Sequence, residues 1–286
     1  MQIAHDRAGL AAQLAPWRRD GRRIALVPTM GNLHAGHLAL VDQGRRLADV
    51  VVATVFVNPT QFGPGEDFDR YPRTFEADAE GLRGHGCDLL FAPDVEAIYP
   101  FGAERAHRVT VPALADVLCG AHRPGHFDGV ATVVTRLFNL VQPTLAVFGE
   151  KDFQQLRILE RMSTDLGYAL AIARGPTVRE ADGLALSSRN RYLEPDQRRL
   201  APMLYATLRS VRAGWRRGEG EAALAAGRAR LRDAGVDLDY LEARRELDLR
   251  TSGPSECDGS RIFVAGRVGQ TRLIDNLALG EDQSSD

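Results

Sequence analysis

Lysine is almost absent from this chain. Of its 36 basic residues only Lys151 is a lysine, and every other positive charge is an arginine. Cysteine is scarce too: Cys87, Cys119 and Cys257 are odd in number and far apart. That excludes a disulfide framework and a C-x-x-C metal pair, and fits reduced, buried thiols in the cytosol. No apolar run approaches the roughly 18 residues of a membrane span. Met1 to Asp6 lack the basic head and apolar stretch of a secretory signal. The formal net charge is −2, so no global field draws the chain onto nucleic acid, and no basic stripe suggests RNA. No G-x-G-x-x-G follows the first strand, which disfavours an NAD dehydrogenase. What is present is ordinary globular material: 286 residues, 44% hydrophobic and 26% charged, enough for one large domain or two unequal ones.

The first part of the chain alternates short apolar runs with helical stretches. Strands are predicted at 24–27, 50–57, 88–91, 145–148 and 168–173. Helices are predicted at 38–47, from Thr74 towards Arg83, at 129–141 and at 153–166. The run from Val50 to Val57 is apolar throughout, as a strand covered on both faces should be. Beyond Pro176 the texture changes to arginine- and alanine-rich helices at 197–217 and 221–234, then strands at 239–242, 261–265 and 268–273. The expected fold is α/β: a doubly wound, Rossmann-like parallel sheet over residues 1–175, with a smaller C-terminal α+β domain over 176–286. The tail from Glu281 is polar and expected to fray.

Four segments carry chemistry. Pro28 to His37 follows the first strand and opens a helix, where unpaired N–H groups and a positive dipole end favour a phosphate. Gly31 and Gly36 permit close backbone approach, and His34 and His37 can aim two imidazoles at one phosphoryl group. Two surface histidines would look the same in sequence; a zinc pair lacks further ligands at metal spacing. Asn58 and Gln61 are amides at the end of the second strand, placed either for a ligand carrying hydroxyl and carboxylate or for the turn backbone. The lone lysine falls in Gly149-Glu150-Lys151-Asp152, again where a strand gives way to a helix. Its compact ammonium can follow a moving phosphate as a broad guanidinium fork cannot. Asp152 can accept from ribose hydroxyls, and Gln155 lies one helical turn beyond Lys151 on the same side. Ser187, Ser188 and Arg189 form either a phosphate clamp or an ordinary polar turn. His126 sits at a helix start, where histidine is more often structural.

The His-x-Gly-His string after a first strand resembles the nucleotidyltransferase superfamily, which includes class I aminoacyl-tRNA synthetases. The longer string P-T-M-G-x-L-H-x-G-H is similar to the pantothenate synthetase family, as are Val55 to Phe62, Gly125 to Val130, Phe148 to Gln155 and Leu186 to Asn190. Asn32 stands where that family usually has alanine, and Ala35 where it usually has glutamate. The resemblance implies an ATP site comprising Met30, Gly31, Asn32, Leu33, His34, Ala35, Gly36 and His37, then Gly149, Glu150, Lys151 and Asp152, then Val178 and Leu186 near adenine with Ser187, Ser188 and Arg189 near the phosphates. The side chains at 32 and 35 are not themselves expected ligands. It assigns Gln61 and Gln155 to substrate, with Asn58 beside them. The catalytic set is then His37, His34 and Lys151.

The implied reaction activates pantoate with ATP as an acyl adenylate, releases pyrophosphate, and transfers the acyl group to β-alanine with loss of AMP. Mg²⁺ would ride mainly on ATP oxygens, since magnesium needs few protein ligands. The family further implies a homodimer, and a C-terminal domain closing over the ATP site. Rival readings are another small nucleotidyltransferase, which would lack the 149–155 string, and a nucleotide-binding sensor that has lost catalysis, against which intact His34, His37 and Lys151 argue.

Overall fold

The computed structural model describes residues 1–253 and 256–280; the polar tail from Glu281 lies outside them. In chain order the elements are β1 (Gln2–Ala4), α1 (Arg7–Arg19), β2 (Ile24–Thr29), α2 (Ala35–Leu47), β3 (Val50–Val55), α3 (Phe75–Gly84), β4 (Leu89–Phe91) and α4 (Val95–Ile98). Then come α5 (Cys119–His122), α6 (His126–Val141), β5 (Leu145–Gly149), α7 (Phe153–Asp165) and β6 (Ala171–Gly175). The C-terminal part holds α8 (Pro195–Leu200), α9 (Met203–Arg216), α10 (Gly220–Asp233), β7 (Asp237–Arg245), β8 (Ser260–Val268) and β9 (Thr271–Ala278).

Strands β1 to β6 form one parallel sheet in the order β1-β4-β3-β2-β5-β6. Alternate residues of its strands feed two cores. Ala25, Val27, Val51, Ala53 and Val147 pack with Val41 of α2 and Leu82 of α3. Leu26, Val50, Val52, Ala146 and Phe148 pack on the other face with Leu14 of α1, Val134 and Phe138 of α6, and Leu159 of α7. Helices on both faces make the sheet doubly wound, as expected. From β2 the chain winds outward through β3 and β4, whereas β5 and β6 wind the opposite way. The crevice at the carboxyl ends of neighbouring β2 and β5 is therefore the switch point, where ligands bind in such sheets.

The C-terminal strands form a separate antiparallel sheet, β7-β8-β9. The two-residue period of β8 divides its side chains cleanly. Ile262 and Val264 join Leu208, Val211, Trp215 and Leu224 of α9 and α10, while Phe263 and Ala265 join the core of the large sheet. Phe263 meets Phe153 at the start of α7, ring centroids 5.9 Å apart.

Several boundaries differ from the sequence reading. Helix α2 starts at Ala35 rather than Leu38 because the His34 side chain caps it. The predicted helix over 197–217 is divided between α8 and α9 at Pro202, which has no N–H for a continuing helix. The predicted strand over 268–273 straddles a tight turn, with Gly269 at φ 62° between β8 and β9. Strand β6 begins at Ala171 because Gly167 (φ 68°) and Tyr168 close the end of α7, the Tyr168 N–H donating to the Ser163 carbonyl at 3.0 Å.

Candidate active site

The turn after β2 is shaped by a buried carboxylate. Gly31 (φ 81°) and Asn32 (φ 51°) are both left-handed, which directs the amides of Asn32 and Leu33 to Asp78 of α3 at 2.9 and 2.8 Å. Thr74 donates to the same carboxylate at 3.1 Å. A Cβ at Gly31 would lie 2.9 Å from the Asp78 Oδ2, so only glycine fits there.

This turn delivers His34 to the N-cap of α2. Its Nδ1 accepts from the Gly36 N–H at 3.1 Å, and His37 Nδ1 accepts from the His34 N–H at 3.4 Å. With both Nδ1 atoms acting as acceptors, each neutral ring carries its proton on Nε2. The rings lie 4.1 Å apart between centroids. Burial, reinforced by the Lys151 charge, lowers His34 to about 4. Burial, reinforced by His34 and Lys151, lowers His37 to about 3. At neutral pH the pair is therefore two uncharged Nε2–H donors.

Across the crevice, β5 ends at Gly149 and the turn of Glu150, Lys151 and Asp152 leads into α7. Lys151 faces the cleft with its side chain 19% exposed, and its ammonium stands 3.8 Å from the Asp152 carboxylate. The turn is anchored from the C-terminal sheet. Asn276 of β9 donates its amide hydrogens to the Glu150 and Lys151 carbonyls at 2.9 and 2.8 Å, and its oxygen accepts from Arg261 at 2.6 Å. Arg261 stacks on the Phe153 ring, 4.0 Å from its centroid. The neighbouring Asp275 receives Arg179 at 2.6 and 3.0 Å, tying the segment that leads to Val178 to the same strand.

Asn58 is buried with its amide saturated. It donates to Gln61 Oε1 and the Gly129 carbonyl, both at 3.1 Å, and accepts from Tyr99 at 2.7 Å and from the Thr60 hydroxyl at 3.0 Å. The amide oxygen of Gln61 is thereby fixed, and its nitrogen, 3.0 Å from the Met30 sulfur, faces the cleft. A side chain at Gly129 would strike the Thr60 carbonyl at 2.2 Å, so helix α6 can approach this turn only through glycine. His126 donates from Nδ1 to the Gln61 carbonyl at 2.7 Å and accepts Arg123 on Nε2 at 3.0 Å. Its imidazole is spent on structure, and burial lowers it to about 4.

Residues 63–74 form a strap over the cleft. Glu66 receives Arg123 at 2.6 and 2.7 Å, and Asp67 receives Arg189 at 3.2 and 3.3 Å. The strap is thus pinned to a guanidinium on either side.

The structure gathers Met30, His34, Gly36, His37, Asn58, Gln61, Gly149, Lys151, Asp152, Gln155, Val178, Leu186, Ser187, Ser188 and Arg189 around one crevice. Gly31, Asn32, Leu33, Ala35 and Glu150 were read into the same site but do not line it. Gly31 and Asn32 shape the turn, and the Asn32 carboxamide oxygen accepts from Arg191 at 2.7 Å. Leu33 packs on the core, Ala35 is exposed, and Glu150 faces Arg261 at 3.9 Å. Sequence reading missed Asp78, Arg123, Asn276 and the apolar wall of Val130, Val133, Val134 and Leu137. The wall was readable as a helical stripe, but nothing marked it as lining a cleft rather than a core.

Residues 2–278 match the family described as Pantoate-beta-alanine ligase. The chain is 57% identical over 280 residues to the Pantothenate synthetase of Chromohalobacter salexigens, covering 98% of this chain and 99% of that one. Its structure resembles the crystal structure of pantothenate synthetase from Thermus thermophilus, with TM-score 0.92, 49% identity, and coverage of 98% and 100%. It also resembles the pantoate-beta-alanine ligase of Francisella tularensis, solved with beta-gamma ATP and beta-alanine, with TM-score 0.84, 32% identity and 98% coverage of each chain.

Proposed function

The chain belongs to the pantoate–β-alanine ligase family, and from that premise we propose how its residues divide the work of joining pantoate to β-alanine with ATP. A carboxylate is a poor acyl donor, so the reaction runs in two steps. A pantoate carboxylate oxygen attacks the α-phosphorus, the bond to the β-phosphate oxygen breaks, and pyrophosphate leaves with that electron pair. The neutral β-alanine amine then attacks the acyl carbon of the adenylate; the bond to the phosphate oxygen breaks, AMP departs with that electron pair, and the nitrogen gives up one proton to solvent.

One observation carries the division of roles. His34 and His37 spend Nδ1 on the α2 cap and so hold Nε2–H donors beside Lys151. Uncharged and preorganised, they donate to the α-phosphate oxygens as negative charge builds there. Lys151 supplies the mobile positive charge that follows the bridging oxygen. Val178 and Leu186 face the adenine, Asp152 the ribose, and Ser187, Ser188 and Arg189 the phosphates. Gln61 and Gln155 hold pantoate's hydroxyls and carboxylate, and Val130, Val133 and Val134 receive its dimethyl carbon. Asn58 acts through Gln61 as a positioning residue.

Magnesium arrives with the nucleotide. Among the described residues no group of three or more carboxylate, imidazole or thiol donors could hold a metal, so the ion would be held mainly by the ATP oxygens. Such an ion would screen the triphosphate against the incoming carboxylate. The part from residue 176 onward closes as a domain over the ATP site; Asn276 and Asp275 already reach from its sheet to both halves of the cleft. The family resemblance supports a cytoplasmic homodimer, and no helix among the described residues is long and apolar enough to cross a membrane.

The deciding experiment follows pyrophosphate from Mg-ATP with pantoate alone, and then with β-alanine. A burst near one per site that turns over only with β-alanine is the expected result. A folded, ATP-binding protein that ignores pantoate would overturn the substrate assignment.

A further inference from the structure

Beyond Lys151 the crevice opens into a second cavity of about 450 Å³, between the large sheet and the C-terminal one. The two spaces share Arg123, His126, Lys151, Asp152, Gln155, Ser187 and Arg189. On the far wall Arg267 of β8 stands directly opposite Arg272 of β9 in the antiparallel register. Both continue the face that carries Phe263 and Ala265 towards the large sheet, and both line the cavity.

Two like charges directly opposite on a ladder destabilise it unless something compensates. Arg272 is compensated: it donates to Asp239 at 2.7 Å and lies 3.5 Å from the Cys119 sulfur. Arg267 is exposed and has no ion pair or hydrogen bond among the described residues. Asp237, its register partner on β7, forms no ion pair with it. Of the other guanidiniums that line the cavity from the cleft side, Arg123 and Arg189 are held by the strap carboxylates, while Arg70 sits exposed on the strap itself. On the C-terminal sheet's wall, Arg267 is thus an uncompensated cation lining the same cavity as Lys151.

We infer that Arg267 is the C-terminal sheet's anion receptor, binding the β- and γ-phosphates of ATP and then the departing pyrophosphate. This rests on the ligase reading above. With the α-phosphorus held at His34 and His37, the tail must pass Lys151, and the shared lining leads it into this cavity. When the bond between the α-phosphorus and the bridging oxygen breaks, the electron pair and the new negative charge pass to pyrophosphate. A guanidinium on the far wall binds that product more tightly than it binds AMP, which leaves from the adenine side.

The test is calorimetric titration of the full chain with inorganic pyrophosphate and, separately, with AMP, for wild type, Arg267→Gln and Arg267→Lys. Pyrophosphate affinity should fall about tenfold in Arg267→Gln, be partly restored in Arg267→Lys, and AMP affinity should stay unchanged. In the half-reaction the KM for ATP should rise in parallel while that for pantoate does not. Unaltered pyrophosphate binding, or equal weakening of both ligands, would overturn the inference. Because the titration needs no turnover, it decides this point even if the wild type proves inactive with pantoate. Arg267 is exposed on a hairpin, so its replacement does not put folding at risk.

Discussion

The side-chain amide of Asn276, on the last strand of the chain, donates 2.8 Å to the carbonyl of Lys151. More than a hundred residues of sequence separate the two, and the contact makes the C-terminal sheet part of the scaffold of a residue on the large one. Asn276→Ala would strand the Glu150 and Lys151 carbonyls and one N–H of Arg261, whose Nε stays with Glu246. A stability loss of about 1–3 kcal/mol is expected from the unmade bonds, together with slower adenylation and a raised KM for ATP. Denaturant melts alongside half-reaction kinetics check this; a destabilised variant with wild-type kinetics would remove Asn276 from the account of the site.

Replacing His37 by alanine should slow pyrophosphate release by about 10²–10³-fold, the range for losing one preorganised donor to a developing oxyanion. Lys151→Ala should act on the same step with a comparable loss. Circular dichroism should remain native in both. Near-normal turnover in either variant would refute its role.

Asp78→Asn keeps the size of the side chain but halves its capacity to accept the Asn32 and Leu33 amides. Adenylation should slow by about tenfold as the turn loosens, roughly 1.4 kcal/mol of positioning. The KM for β-alanine should stay unchanged, because Asp78 holds the turn before His34 and the Thr74 hydroxyl, and does not line the crevice. A uniform rise in every KM would point instead to general loosening of the fold.

His34, His37 and His126 are lowered to about 4, 3 and 4 by burial. Below the unfolded value near 6.5 the unfolded chain binds protons that the folded one refuses. Stability contributed by these groups is therefore complete above about pH 6.5 and is lost progressively as pH falls towards 4. Denaturation midpoints at pH 7.5 and 5 should reveal the loss, and histidine NMR should find three imidazoles that do not titrate between pH 5.5 and 8. A titration of His37 near 6.5 would contradict the uncharged donor pair.

Glu66→Gln with Asp67→Asn releases the strap from Arg123 and Arg189. Trypsin should then cut at Arg70 or Arg73 several-fold faster, with ATP and pantoate restoring protection. Unchanged cleavage would mean that packing of Phe62, Phe68 and Tyr71 holds the strap without the ion pairs.

Local signals made the switch-point crevice legible in sequence. Uniformly apolar strands, the glycines at 31 and 36, and the lone lysine all sit within a few residues of what they shape. Asp78, Arg123 and Asn276 were not legible, because each serves a group far away in the chain that only the fold brings near. The same reason hides β1, three residues long and recognisable only by its pairing with β4. Pro202 is visible in the sequence, but the arginine- and alanine-rich stretch runs on through it, and the missing N–H decides where the helix divides.

The isolation of Lys151 has a practical side. Apart from the α-amino group of Met1 it is the only amine in the molecule, and its side chain, 19% exposed, opens onto the crevice. An amine-directed reagent therefore has a single side-chain target, and a mass spectrum of the labelled protein counts intact sites. Shielding of that one adduct by nucleotide reports occupancy directly, with no substituted variant and no coupled enzyme.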